Sequence, residues 1–214
     1  MLINNDRLAK QLNFIIEIDQ LKNVYRQTLL MNGKRYENDA EHSWHLGIMV
    51  ILLSEYATGE DLNILKVIKM VLLHDLVEID AGDTFCYDNK AARDKAAREE
   101  KAANRIFGIL PADQESEFRK LWDEFEERKS PEARFAAALD RLQPILHNYN
   151  TQGAAWRAHG VTSDVVIEKN QHISQGAPEL WDYATMLIKD AVEKGYLRGT
   201  DCKPPPPLEM KSLT

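Results

Sequence analysis

His74 and Asp75 interrupt an apolar run, with Val71, Leu72 and Leu73 before them and Leu76 and Val77 after. An imidazole and a carboxylate placed there cost free energy unless something satisfies them. A lone His-Asp pair is a weak signal, because a satisfied core pair is the commoner explanation of so short a motif. Its surroundings strengthen it. Glu78 lies four residues past His74 and so on the same helical face, and Asp80 and Asp83 follow. Like charges thus crowd one helix end, where the helix dipole already opposes them, and a divalent cation would relieve both defects. The competing explanation for Asp80 and Asp83 is that they cap or turn the chain.

Two further positions suit the same chemistry. His42, in AEHSW, opens an otherwise apolar helix, and His45 follows three residues later on a similar face, where it is as easily a packed histidine. Asp140 is the one acid in the apolar stretch Phe135 to Leu139 and beyond, and a buried charge needs a partner. Arg141 is adjacent but points elsewhere on the helical wheel, which makes it a poor neutraliser of Asp140.

Helices must position these side chains, since apolar residues recur at three- and four-residue intervals nearly everywhere. The spacing predicts a first helix over about residues 6 to 22, then a polar irregular stretch, RQTLLMNGKRYENDA, with a turn at Asn32-Gly33. A helix resumes at Ala40 and stops at Thr58-Gly59-Glu60-Asp61, and the next, LNILKVIKMVLLHDLVEID, is apolar around most of its circumference and belongs in the centre. A charged helix over about 89 to 109 follows, then one from Pro111 to about Arg128. Ser130-Pro131-Glu132 starts the helix that carries Asp140, loosened near Pro144, and a last pair covers roughly 163 to 173 and 178 to 194. No strand and no second core is expected. The fold class is all-α: a single globular helical bundle over residues 1–198, followed by a mobile, proline-rich tail over 199–214.

The 214 residues carry 27 basic and 34 acidic side chains, a net charge of −7 that disfavours binding a nucleic-acid polymer. With 44% hydrophobic and 29% charged residues the composition is that of a globule. Cys86 and Cys202 make no disulfide framework, and the opening stretch MLINNDRLAKQLNFIIEIDQ, interrupted by charges every few residues, offers neither a signal peptide's apolar run nor a membrane span. A cytoplasmic protein without membrane contact is expected.

The ordered set His42, His74-Asp75 and Asp140, with spacings of 32 and 65 residues in a helical chain, resembles the metal-binding signature of the HD-domain superfamily of metal-dependent phosphohydrolases. The stretches AEHSW, LLHDLVEIDAGD and AALDRLQPIL look like the subgroup that holds the bacterial 5′-deoxynucleotidases and their eukaryotic relatives. The resemblance implies one divalent metal ion, drawn from Mn, Co, Mg, Zn, Fe and Ni, with His42, His74, Asp75 and Asp140 as ligands. It implies catalytic roles for Glu78, acting on the attacking water, and for the ligand Asp75. It also implies that Asp83 and Arg26 bind substrate, the arginine holding phosphate.

Members selecting deoxyribose are expected to place an aromatic residue just after that arginine, whereas this chain has Gln27-Thr28-Leu29-Leu30, which puts sugar selectivity in doubt. Lys34 and Arg35 are either further phosphate contacts or solvated loop charges, and His147, Asn148, Tyr149 and Gln152 stay unassigned. The function implied is hydrolysis of (deoxy)nucleoside 5′-monophosphates, a small phosphorylated substrate. The alternatives are another small phosphoester, a metal- or nucleotide-binding regulatory module that turns nothing over, or a structural helical protein whose His-Asp cluster is a buried ion-pair network. A homodimer is expected, the Ala-rich helix over 91 to 107 offering a face for close packing.

Overall fold

A computed structural model describes residues 6–59, 61–88 and 90–200. Helix α1 (Asp6–Ile18) runs into a 3-10 turn over Asp19–Asn23, and α2 (Asp39–Leu53) and α3 (Ile64–Leu73) follow a short hairpin. Beyond them lie α4 (Glu78–Ala81), α5 (Lys95–Phe107), α6 (Ala112–Glu127), α7 (Pro131–Asn150), α8 (Ala154–Ala158), α9 (Ser163–Asn170), α10 (Ile173–Gly176) and α11 (Pro178–Glu193). One continuous apolar core extends from Phe14 to Leu197. The proline-rich tail lies, from residue 201 on, outside the described residues, and so does Cys202. Among the described residues no helix is long and apolar enough to cross a membrane.

Helix α7 is the axis of the molecule. Phe135, Ala136, Ala137, Ala138, Leu139, Leu142 and Ile145 are all buried, and α2, α3, α6, α10 and α11 pack around them. Its start is fixed by Ser130, whose hydroxyl accepts the Ala133 amide, and by Pro131 in the first turn, where no amide hydrogen is needed. The start of α2 is fixed by a capping box. Asn38 accepts the Glu41 amide at 2.9 Å, and the Glu41 carboxylate accepts the Asn38 amide at 3.3 Å. These caps set the register of Asp140 and His42.

The structure departs from the all-helical expectation at two places. Residues 25 to 38 form an antiparallel hairpin, β1 (Tyr25–Leu29) and β2 (Tyr36–Asn38), with its turn at Gly33 (φ +70°). Strands of five and three residues with an irregular register are too short to show an alternation that the sequence could reveal. The long central helix is broken as well. After Leu73 the chain tightens into a 3-10 turn over His74–Val77, resumes as the single turn of α4, and ends at Gly82 with φ +74°.

The Ala-rich stretch divides its alanines: Ala102 and Ala103 are buried where α5 packs against α4 and the His74–Val77 turn, while Ala92, Ala96 and Ala97 are exposed.

Candidate metal centre

Five segments converge on one cleft. The first turn of α2 supplies Asp39 and His42, the 3-10 turn supplies His74 and Asp75, α4 opens with Glu78, α7 supplies Asp140, and β1 supplies Arg26. Asp83 follows α4 along the same wall. His42, His74, Asp75, Glu78 and Asp140 are all buried.

His42 Nε2 lies 3.1 Å from Asp140 Oδ1 and 3.9 Å from Asp75 Oδ2, while His74 Nε2 lies 3.0 Å from Asp75 Oδ1 and 3.7 Å from Asp140 Oδ1. His74 Nδ1 donates to the Val71 carbonyl at 3.0 Å, which leaves its Nε2 lone pair facing the cluster with no hydrogen-bond partner. His42 Nδ1 has no partner either and faces the equally unpartnered Glu37 Oε2 at 3.8 Å. Two imidazoles and two carboxylates brought together, with His74 Nε2 left unpartnered among them, form a donor set that fits a divalent cation.

Asp39, Asp75 and Glu78 form a second group of buried carboxylates beside the first. Burial together with the charges of Asp75, Asp39 and Asp83 pushes the Glu78 carboxyl well above its ordinary range. Asp39 is raised to about 7 by burial and by Asp75, although Arg26 opposes this. Burial would lift Asp140 likewise, but Arg141, the hydrogen bond from His42 and the proximity of His74 hold it well below the usual carboxylate range. Arg141 therefore does what its place on the wheel argued against. Its side chain turns back so that Nε lies 3.4 Å from Asp140 Oδ2, a reach that a long flexible stem allows even to the adjacent residue.

Arg26 joins the same group, its Nη1 lying 2.9 Å from Asp75 Oδ2 and 3.2 Å from Asp39 Oδ1, with Asp83 at 4.0 Å. Of the other candidates, Asn148 lines the cleft too and the rest lie elsewhere. Asp80 pairs with Arg105, Arg35 is taken up by Glu41, and Lys34 is exposed. Tyr149 bonds Asp190 and Lys194, and Asn148 uses its amide on the Pro144 carbonyl and the Trp156 amide. His45 and His147 meet one another, with Glu37, behind the cleft. Asp39 escaped notice although it lies three residues before His42, a spacing that places both on one helical face. Nothing local in the sequence announces a wall beyond Asp83, where Phe85 lies against His159 with ring centroids 4.4 Å apart and the rings tilted by 42°.

The HD domain family model matches residues 18–181, a span holding every residue of this cleft. The chain belongs to the HD domain family. The human protein named 5′-deoxynucleotidase HDDC2 is 32% identical over 136 residues, 63% of this chain and 65% of that protein, and its Mus musculus counterpart is 32% identical over 139 residues, covering 64% and 68%. The chain thus spans about 65% of the length of the human relative. Among solved structures, a predicted metal-dependent phosphohydrolase from Magnetospirillum magnetotacticum MS-1 is 51% identical with a TM-score of 0.88, over 92% of this chain and all of that one. An HD-domain phosphohydrolase from Listeria innocua, 18% identical with a TM-score of 0.56 over 86% of each chain, shares the fold. The HD fold of metal-dependent phosphohydrolases implies a divalent metal ion, and this HD domain has side-chain clusters able to hold one.

Proposed function

We propose that this HD domain is a phosphomonoesterase that hydrolyses nucleoside 5′-monophosphates, with His42, His74, Asp75 and Asp140 holding a divalent cation. The observation that carries the proposal is the convergence of that donor set, Glu78 and Arg26 in one cleft. The cation, of the Mn, Co, Mg, Zn, Fe or Ni class, would supply Lewis-acid stabilisation of phosphoryl charge and lower the pKa of the attacking water.

The chain's own residues do the rest. Glu78, with a raised pKa and an unpartnered Oε2, takes a proton from the water as its oxygen bonds to phosphorus. The phosphorus–O5′ bond breaks, and Glu78 returns that proton to the nucleoside oxygen. Asp75 aids this by orienting Arg26 as well as by ligation, and the guanidinium offers two parallel donors to the phosphate. Asp83 accepts from a sugar hydroxyl, and the tilted Phe85–His159 pair gives the base an aromatic surface. That aromatic wall is what favours a nucleotide over a smaller phosphoester. With Gln27 where an aromatic residue would restrict the sugar, ribose and deoxyribose are both accepted.

Phosphate release from a panel of ribo- and deoxynucleoside 5′- and 3′-monophosphates, using metal-free protein reloaded separately with Mn, Co, Mg and Zn, tests this. Release from 5′-monophosphates with either sugar is expected. No release with any of the metals despite a bound ion defeats the proposal.

A homodimer belongs to the same proposal, through α2 rather than α5. Trp44, Ile48, Ile51 and Leu52 are 65%, 40%, 59% and 65% exposed along one side of α2, and Leu72 of α3 packs beside Gly47 to continue that face. A cytoplasmic setting fits the free thiol of Cys86, and the net charge of −7 fits a small-molecule substrate better than a nucleic-acid polymer.

A further inference from the structure

Behind the cleft lies a second cluster that the phosphoesterase chemistry does not use. His45 Nδ1, His147 Nε2 and a Glu37 carboxylate oxygen lie within 4.8 Å of one another. They converge on the side-chain amide of Gln143, whose Nε2 is 2.7 Å from Glu37 Oε1, 3.0 Å from His147 Nε2 and 3.3 Å from His45 Nδ1. An amide nitrogen only donates, so both ring nitrogens present lone pairs to it. His147 is fixed in that tautomer because its Nδ1 donates to the Leu29 carbonyl at 2.9 Å, the arrangement that prepares a histidine for a metal.

The amide satisfies this cluster poorly. It has two hydrogens for three acceptors, while its own Oε1 and the far oxygen of Glu37 are buried without a partner, in residues only 0% and 1% exposed. A cation would accept all three lone pairs. Turning the amide by half a revolution would then bring the orphaned Oε1 to it as a fourth donor.

We propose that Glu37, His45 and His147, with Gln143 as a fourth ligand, bind a second divalent cation of the Zn or Co class. Two imidazoles, a carboxylate and one further oxygen suit four-coordination of such an ion. The site is separate from the set formed by His42, His74, Asp75 and Asp140, and the chain would therefore hold two ions rather than the one its signature implies. Half-exposed His45 gives the cluster its route to solvent.

Equilibrium dialysis of the full chain against Zn2+ or Co2+ alone, followed by elemental analysis, reads the number of ions bound, and activity plays no part in it. The wild-type chain is expected to take two equivalents. His45→Ala, on the half-exposed side, and Asp140→Asn are each expected to take one, and the double variant none. Glu37→Gln keeps the volume and loses the charge, and should weaken the second equivalent at least tenfold while the Asp140-dependent equivalent is still bound. A single equivalent in the wild type that is lost in Asp140→Asn and kept in His45→Ala overturns the proposal. So does a second equivalent that persists in both His45→Ala and Glu37→Gln, which marks an adventitious ion elsewhere. Loss of the Asp140-dependent ion alone would count against the phosphoesterase site and leave this one standing.

Discussion

Glu78 and Asp75 stand three residues apart, yet the structure gives them different work, and substitution separates them. Glu78→Gln keeps the shape and removes the proton acceptor, so kcat for phosphate release is expected to fall roughly 10^2- to 10^4-fold with metal content unchanged. Asp75→Ala is expected to lose the metal itself; elemental analysis of both variants beside their turnover tells the two roles apart. Phe85→Ala should raise KM for nucleoside monophosphates roughly tenfold, the worth of a lost stacking contact, and leave KM for a small alkyl phosphate unchanged. An equal change for both would remove the base from that wall. The buried members of this group were legible because His74, Asp75 and Asp140 each break an apolar run where a charge has no cheap place. Arg141 was not, because helical-wheel reasoning fixes Cβ directions and says nothing of where a flexible side chain ends.

At the scale of elements, periodicity sufficed wherever a helix is long. The strong caps at Ser130 and Asn38 and the apolar face of α7 leave their mark in residue type. The hairpin did not, since its pairing is set by contact with α2 and α7 and not by its own pattern. The break at His74–Val77 was equally silent: each residue there suits a helix, and only tertiary packing imposes the tighter turn. Packing also leaves one close approach that can be tested. A Cβ on Gly176 would lie 2.2 Å from the Arg134 carbonyl oxygen, where α10 crosses the start of α7. Gly176→Ala is expected to destabilise the fold by about 1–3 kcal/mol. Urea unfolding checks it, and an unchanged midpoint would show that the two helices are not so closely apposed.

The whole molecule carries its buried acids as a stability cost that depends on pH. Burial raises Glu37 from 4.5 to about 7, against the opposing charge of Arg26. The folded state therefore holds a proton that the unfolded chain has released, and its stability falls as pH rises from about 4.5 to 7. Below about 6.5, His42 and His172, both lowered to about 4 by burial, act in the opposite direction. Comparing metal-free Glu37→Gln with metal-free wild type cancels the part of the histidine effect that the two share. The variant should be the more stable at pH 8, by on the order of 3 kcal/mol, with the gap closing towards pH 5. A gap independent of pH in urea titrations would show that Glu37 is ionised throughout. Chelation of the wild type should lower its melting temperature, because an ion bound only to the folded state stabilises it by mass action.

Glu37 turns one oxygen towards His147 and Gln143 and the other towards His42, so a single carboxylate borders both clusters. Substitutions at His42 and His147, remote in sequence, therefore share a partner, and their effects should fail to add in a double-mutant cycle. The two clusters would then answer to substitution as one coupled unit, bridged by a single side chain.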